Sequence, residues 1–149
     1  MDKKFVVTVT TNGACRCNPG PGAYYGIMRC GSHKKDIYGF ESQTSNNRME
    51  LEPVIEAIVA LKKPSNVIIR TKSKFVCNCI DSMEERAQND YHTKTGAKCM
   101  NYDQQKRLYA AVKAGGHTIS SEWISDPHDA DNNTCSKEAQ AIIKKRVVA

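Results

Sequence analysis

Two cysteine pairs, Cys15-x-Cys17 and Cys77-x-Cys79, could together offer four thiolates to zinc. Their spacing argues against it. Structural zinc sites use wider, two-residue gaps, and Cys77 and Cys79 fall in a segment of helical pattern, where i and i+2 do not share a face. The seven cysteines are an odd number, so reduced thiols are expected and not a disulfide framework, with Cys30 and Cys135 as small buried hydrophobes. Positive charge is a second chemical feature. The formal charge is +6, much of it in the runs Lys3-Lys4, Lys34-Lys35, Lys62-Lys63 and Lys144-Lys145-Arg146. It suits a polyanionic partner, although most such runs read as solvated surface. Asn18 and Asn46 sit where a turn and a helix cap favour asparagine in any case.

These residues need elements to position them. The chain, 149 residues with 40% hydrophobic and 26% charged, is an ordinary globular mixture without repeats or linkers, and one domain over 1–149 is expected. The β-branched run 4–12 reads as a strand, and Asn18-Pro19-Gly20-Pro21-Gly22 as a loop. Segments 23–30 and 35–42 complete a meander around the turn Gly31-Ser32-His33. Residues 48–61 predict a helix with Asn46 and Asn47 as capping types, Pro53 in the first turn, and an apolar stripe of Leu51, Val54, Ile55, Ile58 and Leu61. A strand at 66–71 is followed by helices at 74–85 and 102–114, a strand at 118–124, a polar loop at 125–133 and a last helix. That order predicts an α/β fold, a mixed sheet covered by helices. No apolar stretch is long enough to span a membrane, and Met1-Asp2-Lys3-Lys4 lacks the pattern of a signal peptide. A cytoplasmic or nucleoplasmic protein is expected, neither secreted nor membrane-bound.

Several segments resemble type 1 ribonuclease H. The stretch Thr11-Asn12-Gly13-Ala14-Cys15-Arg16-Cys17-Asn18-Pro19-Gly20-Pro21-Gly22 resembles that family's first-strand signature, and Ser45-Asn46-Asn47-Arg48-Met49-Glu50-Leu51 the start of its first helix. Thr71-Lys72-Ser73-Lys74-Phe75-Val76 is similar to its fourth-strand signature. Glu122-Trp123-Ile124 and Asn132-Asn133-Thr134-Cys135-Ser136-Lys137-Glu138-Ala139 resemble its last strand and helix. The resemblance implies a ribonuclease H-like fold: a five-stranded mixed sheet, strands one to three antiparallel, four and five parallel to the first, with helices on both faces.

It also implies a site. In that family four carboxylates hold two divalent metal ions that activate water and stabilise the leaving oxygen. The matching positions here are Asn12, Glu50, Lys72 and Ser136, so one carboxylate of four is retained. Lys72 is expected to take the vacated metal position and pair with Glu50, an interaction of about 4 kcal/mol at ~4 Å and an effective dielectric near 20. No metal or other cofactor is then expected, magnesium or manganese entering only if the chain cleaves. Asp126, Asp129 and Asp131 lie in the loop that carries a histidine in the family, and His128 stands near that histidine's place.

The substrate-contacting positions match better. Asn18, Asn46 and Asn47 correspond to residues that reach the minor groove of an RNA–DNA hybrid, and Ser45 to a hydroxyl near a DNA phosphate. Lys74 replaces a polar groove-contacting residue, and Arg16, Arg48, Lys72 and Lys74 would form a basic face with Arg70 nearby. The region 84–107, where many relatives have a basic, tryptophan-rich protrusion, is almost neutral and has no tryptophan. Trp123 reads as core or sheet packing. The first expectation is therefore a monomeric pseudoenzyme that binds an RNA–DNA hybrid or double-stranded RNA without cutting it. The alternatives are a residual or unconventional RNA–DNA hybrid endoribonuclease using Glu50, the acidic loop or manganese, and a scaffold for a protein partner.

Overall fold

The computed structural model describes residues 4–147; Met1–Lys3, part of the N-terminal stretch read above, and Val148–Ala149 lie outside it. Ten elements follow in order: β1 (Phe5–Cys15), β2 (Gly20–Cys30), β3 (His33–Thr44), α1 (Asn46–Ala60), β4 (Ser65–Thr71), α2 (Lys74–Asp81), α3 (Met83–Gln88), α4 (Tyr102–Gly115), β5 (Thr118–Trp123) and α5 (Ala130–Val147). The sheet runs β3-β2-β1-β4-β5. β1–β2 and β2–β3 are antiparallel, and β1–β4 and β4–β5 are parallel. This is the mixed five-stranded ribonuclease H-like arrangement that the segment order and the resemblance imply.

Alternation along β1 divides the two faces of the sheet. Val7 and Val9 pack with Leu51, Val54, Ile55 and Ile58 of α1, with Val67 and Ile69 of β4, and with Val76 of α2 and Leu108 of α4. Burying each large aliphatic side chain contributes about 1.5–3 kcal/mol. Among the described residues the opposite face is covered by α5, through Ala139 and Ile143 against Ala14 and Ala23, with Tyr25 and Phe40 alongside. No helix among the described residues is long and apolar enough to cross a membrane.

Several boundaries differ from the sequence expectations. β1 runs on to Cys15 and β2 begins at Gly20, so the Pro/Gly run belongs partly to a strand. Ser45, not Asn46 or Asn47, caps α1, its Oγ accepting from the Arg48 N–H at 3.3 Å. The helix therefore begins at Asn46, and Pro53 lies in its interior. Pro53 has no N–H for the carbonyl four residues back, that of Met49. That carbonyl is the one β1 approaches: a Cβ on Gly13 would lie 2.3 Å from Met49 C and O. The helix expected over 74–85 breaks at Ser82, which ends α2 and starts α3. α5 begins at Ala130, inside the expected loop, after the Asn133 N–H closes onto the Asp129 carbonyl at 3.0 Å. Cys135 is buried as expected, whereas Cys30 is only partly so.

Candidate active site

The residues with chemical potential gather at the carboxyl ends of β1, β4 and β5, where sites of parallel sheets form. Thr10 and Arg70 are the last registered pair of β1 and β4. Asn12 and Lys72 each lie two residues beyond that pair, at one level on adjacent strands.

Glu50 reaches this end from the first turns of α1. Gly13 allows the approach, because any side chain there would strike the Met49 carbonyl. Burial pushes the Glu50 carboxyl up to about 7, and a hydrogen bond from the Gly13 backbone N–H opposes that rise. A carboxyl titrating near neutrality can accept and return a proton at working pH.

Asn12 projects to the opposite face. Its amide donates to Asn132 Oδ1 on α5 at 3.1 Å, and Asn132 Nδ2 donates to the Thr11 carbonyl at 3.1 Å. Ser136 follows Asn132 by four residues and shares its helix face. Lys72 contradicts the sequence expectation. Among the described residues it makes no ion pair with Glu50. Its charge acts instead on Asp129, whose carboxyl is held below the usual range first by Arg70 and in smaller part by Lys72. The lysine is exposed at the end of β4, its backbone carbonyl accepting from Trp123 of β5, and Glu50 rests against Gly13 of β1.

The acidic loop is tied to arginines. Asp129 takes both guanidinium ends of Arg70, which also donates to Glu122 Oε2 at 2.8 Å and Thr10 Oγ1 at 3.0 Å. Asp131 accepts two bonds from Arg29, at 2.8 and 3.0 Å. Asp126 accepts the His128 N–H at 2.9 Å, which leaves the His128 side chain exposed on the turn. Among the described residues no three or more His, Cys, Asp or Glu side chains are grouped to hold a metal ion. The donor set therefore does not fit the two-ion centre that the resemblance implies, and the buried Cys77 and Cys79 stand apart from the exposed Cys17.

The expected substrate-contacting residues assemble around the start of α1. Asn18 Oδ1 accepts the Asn46 N–H at 3.0 Å, which fastens the β1–β2 loop to the helix. Asn46 is exposed, and Asn47 Nδ2 lies 3.2 Å from Met100 Sδ. The basic face is smaller than expected. Arg48 forks onto Asp103 at 3.0 and 2.8 Å, and Arg70 is engaged as above. Arg16, Lys72 and Lys74 remain exposed at the ends of β1 and β4. In the region 84–107, Tyr91 is buried, and Tyr102 is exposed beneath Lys98 and Lys106.

Sequence reasoning missed two contributors. Trp123, expected to be packed away, is exposed beside Lys72 and Lys74. Its place at the end of an edge strand was the available signal. Asn132 opens the stretch that resembles the family's last helix but was expected in a polar loop; it is buried and joins α5 to β1.

A model of the RNase H family matches residues 4–144. Ribonuclease H of Polaromonas naphthalenivorans is 36% identical over 142 residues, covering 95% of this chain and 86% of the relative. Ribonuclease HI of Neisseria meningitidis serogroup B is 41% identical over 119 residues, 79% of this chain and 81% of the relative. Among solved structures, LC9-RNase H1, described as a type 1 RNase H with the type 2 active-site motif, matches with a TM-score of 0.81 at 23% identity, over 97% of this chain and 75% of that one. LC11-RNase H1 in complex with RNA/DNA hybrid matches with a TM-score of 0.72 at 17% identity, over 95% and 99%. These relatives overturn the first expectation drawn from the sequence, a pseudoenzyme that binds without cutting: proteins named for ribonuclease activity match most of the chain at 36–41% identity. The chain belongs to the RNase H family.

Proposed function

We propose that this chain is an RNA–DNA hybrid ribonuclease with an unconventional centre built on Glu50. The observation that carries the reading is the similarity to ribonuclease H proteins over 95% of the chain at 36% identity. The geometry gives it a chemical form. Of the family's four carboxylate positions only Glu50 is acidic, Asn12, Lys72 and Ser136 being the others. Glu50 has a carboxyl poised near 7 beside the end of β1, and it takes the proton from the water that attacks the RNA phosphate while the bond from phosphorus to the sugar oxygen breaks and that oxygen leaves with a proton from solvent. Lys72 and Lys74 supply positive charge to phosphate oxygens, while Arg16, Asn18, Ser45, Asn46 and Asn47 line the approach.

The test is cleavage of a hybrid labelled on the RNA strand, in magnesium, in manganese and in chelator, alongside duplex RNA and duplex DNA. Cutting of the hybrid that vanishes in Glu50→Gln is the expected result. A hybrid that stays intact in every condition, at protein concentrations where it is fully bound, removes the reading.

A further inference from the structure

Trp123 is the single tryptophan of the chain, and it ends β5 with 47% of its surface exposed. It contacts two lysines of the β4–α2 connection. Its Nε1–H donates to the Lys72 carbonyl at 3.2 Å. The face of the same ring lies under Lys74, whose Nζ is 3.8 Å from the centroid. The sheet dictates the encounter. Trp123 is registered with Thr71 in the parallel β4–β5 ladder, so its indole stands next to the residues that leave β4.

The backbone between the lysines is fixed as well. The Ser73 N–H donates to Thr71 Oγ1 at 3.0 Å, and Ser73 Oγ accepts the Val76 N–H at 3.1 Å. A rigid segment therefore presents two exposed ammonium groups. Neither enters an ion pair among the described residues. Four arginines of the chain behave otherwise: Arg29, Arg48, Arg70 and Arg107 are each engaged by a carboxylate. An ammonium over an aromatic face is held in place but not neutralised. It remains open to an anion that brings a full charge.

We propose that Trp123 is a positioning residue that fixes the Lys72 backbone through its carbonyl and the Lys74 ammonium over its ring, so that the two lysines serve one seat for a backbone phosphate of the bound nucleic acid. The proposal rests on the reading of the chain as a nucleic-acid enzyme and adds to it Trp123 as the residue that positions the two lysines. It also gives the lysine at position 72 a role: it binds a phosphate and leaves Glu50 unpaired. Such a seat carries no sequence preference and weakens as salt rises.

The test measures binding separately from cleavage, using the full chain with Glu50→Gln and an end-labelled RNA–DNA hybrid followed by anisotropy at several salt concentrations. Saturating hybrid is expected to change the emission of Trp123. Lys72→Ala and Lys74→Ala are each expected to lower the slope of log affinity against log salt by about 1. Trp123→Leu is expected to weaken binding several-fold at low salt and to lower the slope, because the lysines it positions no longer meet the phosphate together. Trp123→Phe, which keeps the ring under Lys74 but loses the Nε1 donor, is expected to fall between Trp123→Leu and the parent. Adding Trp123→Leu to the double lysine variant is expected to change nothing further.

Unaltered emission at saturation overturns the seat, as does an unaltered slope in Trp123→Leu. Should Trp123→Leu fail to fold, the double lysine variant decides, and an unchanged slope there overturns it. Absence of hybrid binding at low salt also overturns it. Hybrid binding with the expected slopes, but no cleavage by the unsubstituted chain, removes the ribonuclease reading and leaves the seat. Cleavage with unchanged slopes does the reverse.

Discussion

The Asn12 amide donates to Asn132 Oδ1 at 3.1 Å, joining the end of β1 to the first turns of α5 across 120 residues of sequence. Asn132 cannot turn its amide round freely. Its Nδ2 donates to the Thr11 carbonyl at 3.1 Å, and its backbone N–H donates to Asp129 Oδ1 at 3.0 Å. Asp129 is in turn gripped by Arg70. An Asn12→Asp change would therefore set a carboxylate oxygen against a fixed carbonyl oxygen. The expected outcome is a loss of about 1–3 kcal/mol at neutral pH, the usual cost of a buried acceptor without a donor. The deficit should shrink on acidification, when the new carboxyl regains a proton to donate. Denaturant unfolding checks both parts, and an unchanged midpoint at neutral pH refutes the arrangement.

Glu50 links stability to function with opposite signs. Its carboxyl titrates at about 7 in the fold, against an ordinary value of 4.5, because burial disfavours the charge. The folded chain thus holds this proton more tightly than the unfolded chain. Stability is lost as pH rises from about 4.5 towards 7, and the loss is complete above that. Glu50→Gln should then stabilise the protein above neutrality, by about 1–3 kcal/mol given that each pKa unit is worth ~1.4 kcal/mol, while abolishing cleavage. Cleavage by the unsubstituted chain should fall as pH drops below 7, where the proton acceptor is already protonated. Melting curves at two pH values and a pH–rate profile test the pair of effects; a Glu50→Gln protein that melts earlier above neutrality contradicts them.

The sequence made the fold legible because its signals were local and mutually consistent. The β-branched run of β1, the apolar stripe Leu51, Val54, Ile55 and Ile58, and the valine and isoleucine of β4 each point to one element type. Element ends were less legible. Pro53 suggested a late start for α1, but the Ser45 cap and the close approach at Gly13 set the start at Asn46. Within the site, the identities of Asn12, Glu50, Lys72 and Ser136 could be read, but their partners could not. Lys72 was expected on Glu50 from charge alone. The choice was made by geometry: Lys72 stands exposed where β4 ends, its charge falling on Asp129, and Glu50 sits against Gly13 of β1. Arg70 and Arg48 illustrate the same limit. Their carboxylate partners, Asp129 and Asp103, are 59 and 55 residues away, beyond any periodic pattern.

His117 gives the fold an acid-sensitive point away from the site. The imidazole is buried where α4 meets β5, and its Nδ1 accepts the Ser65 N–H at 3.1 Å. Burial is the main reason that its pKa lies below the ordinary 6.5, with the charge of Lys4 adding to it. Only the neutral ring can accept that bond. A depressed histidine contributes stability that is fully present above its unfolded value and declines as pH falls below about 6.5. His117→Leu should remove this pH-dependent part and cost about 1–3 kcal/mol near neutrality, because the Ser65 N–H is left without an acceptor. Thermal melts on either side of 6.5 decide; an equal pH slope in the variant and the parent shows that another group is responsible.

Gly13 has no room for a single added carbon. A Cβ there would stand 2.3 Å from both the carbonyl carbon and oxygen of Met49, and 2.7 Å from the Glu50 nitrogen. All three are backbone atoms of α1, so no rotamer change relieves the clash. β1 and α1 would have to separate, and α1 carries Leu51, Val54, Ile55 and Ile58 into the core. Overpacking of this kind costs typically about 1–3 kcal/mol, and more where backbone must move. The same separation would withdraw the Gly13 N–H from the Glu50 carboxyl, the one contact that lowers its pKa. Gly13→Ala should therefore destabilise the chain by at least about 2 kcal/mol and shift the acid limb of the pH–rate profile upward, beyond 7. Unfolding measurements paired with that profile separate the two consequences. A variant that is destabilised but keeps the parental acid limb shows that Glu50 retains its seat when the helix moves, and the Gly13 N–H is then not what tunes it.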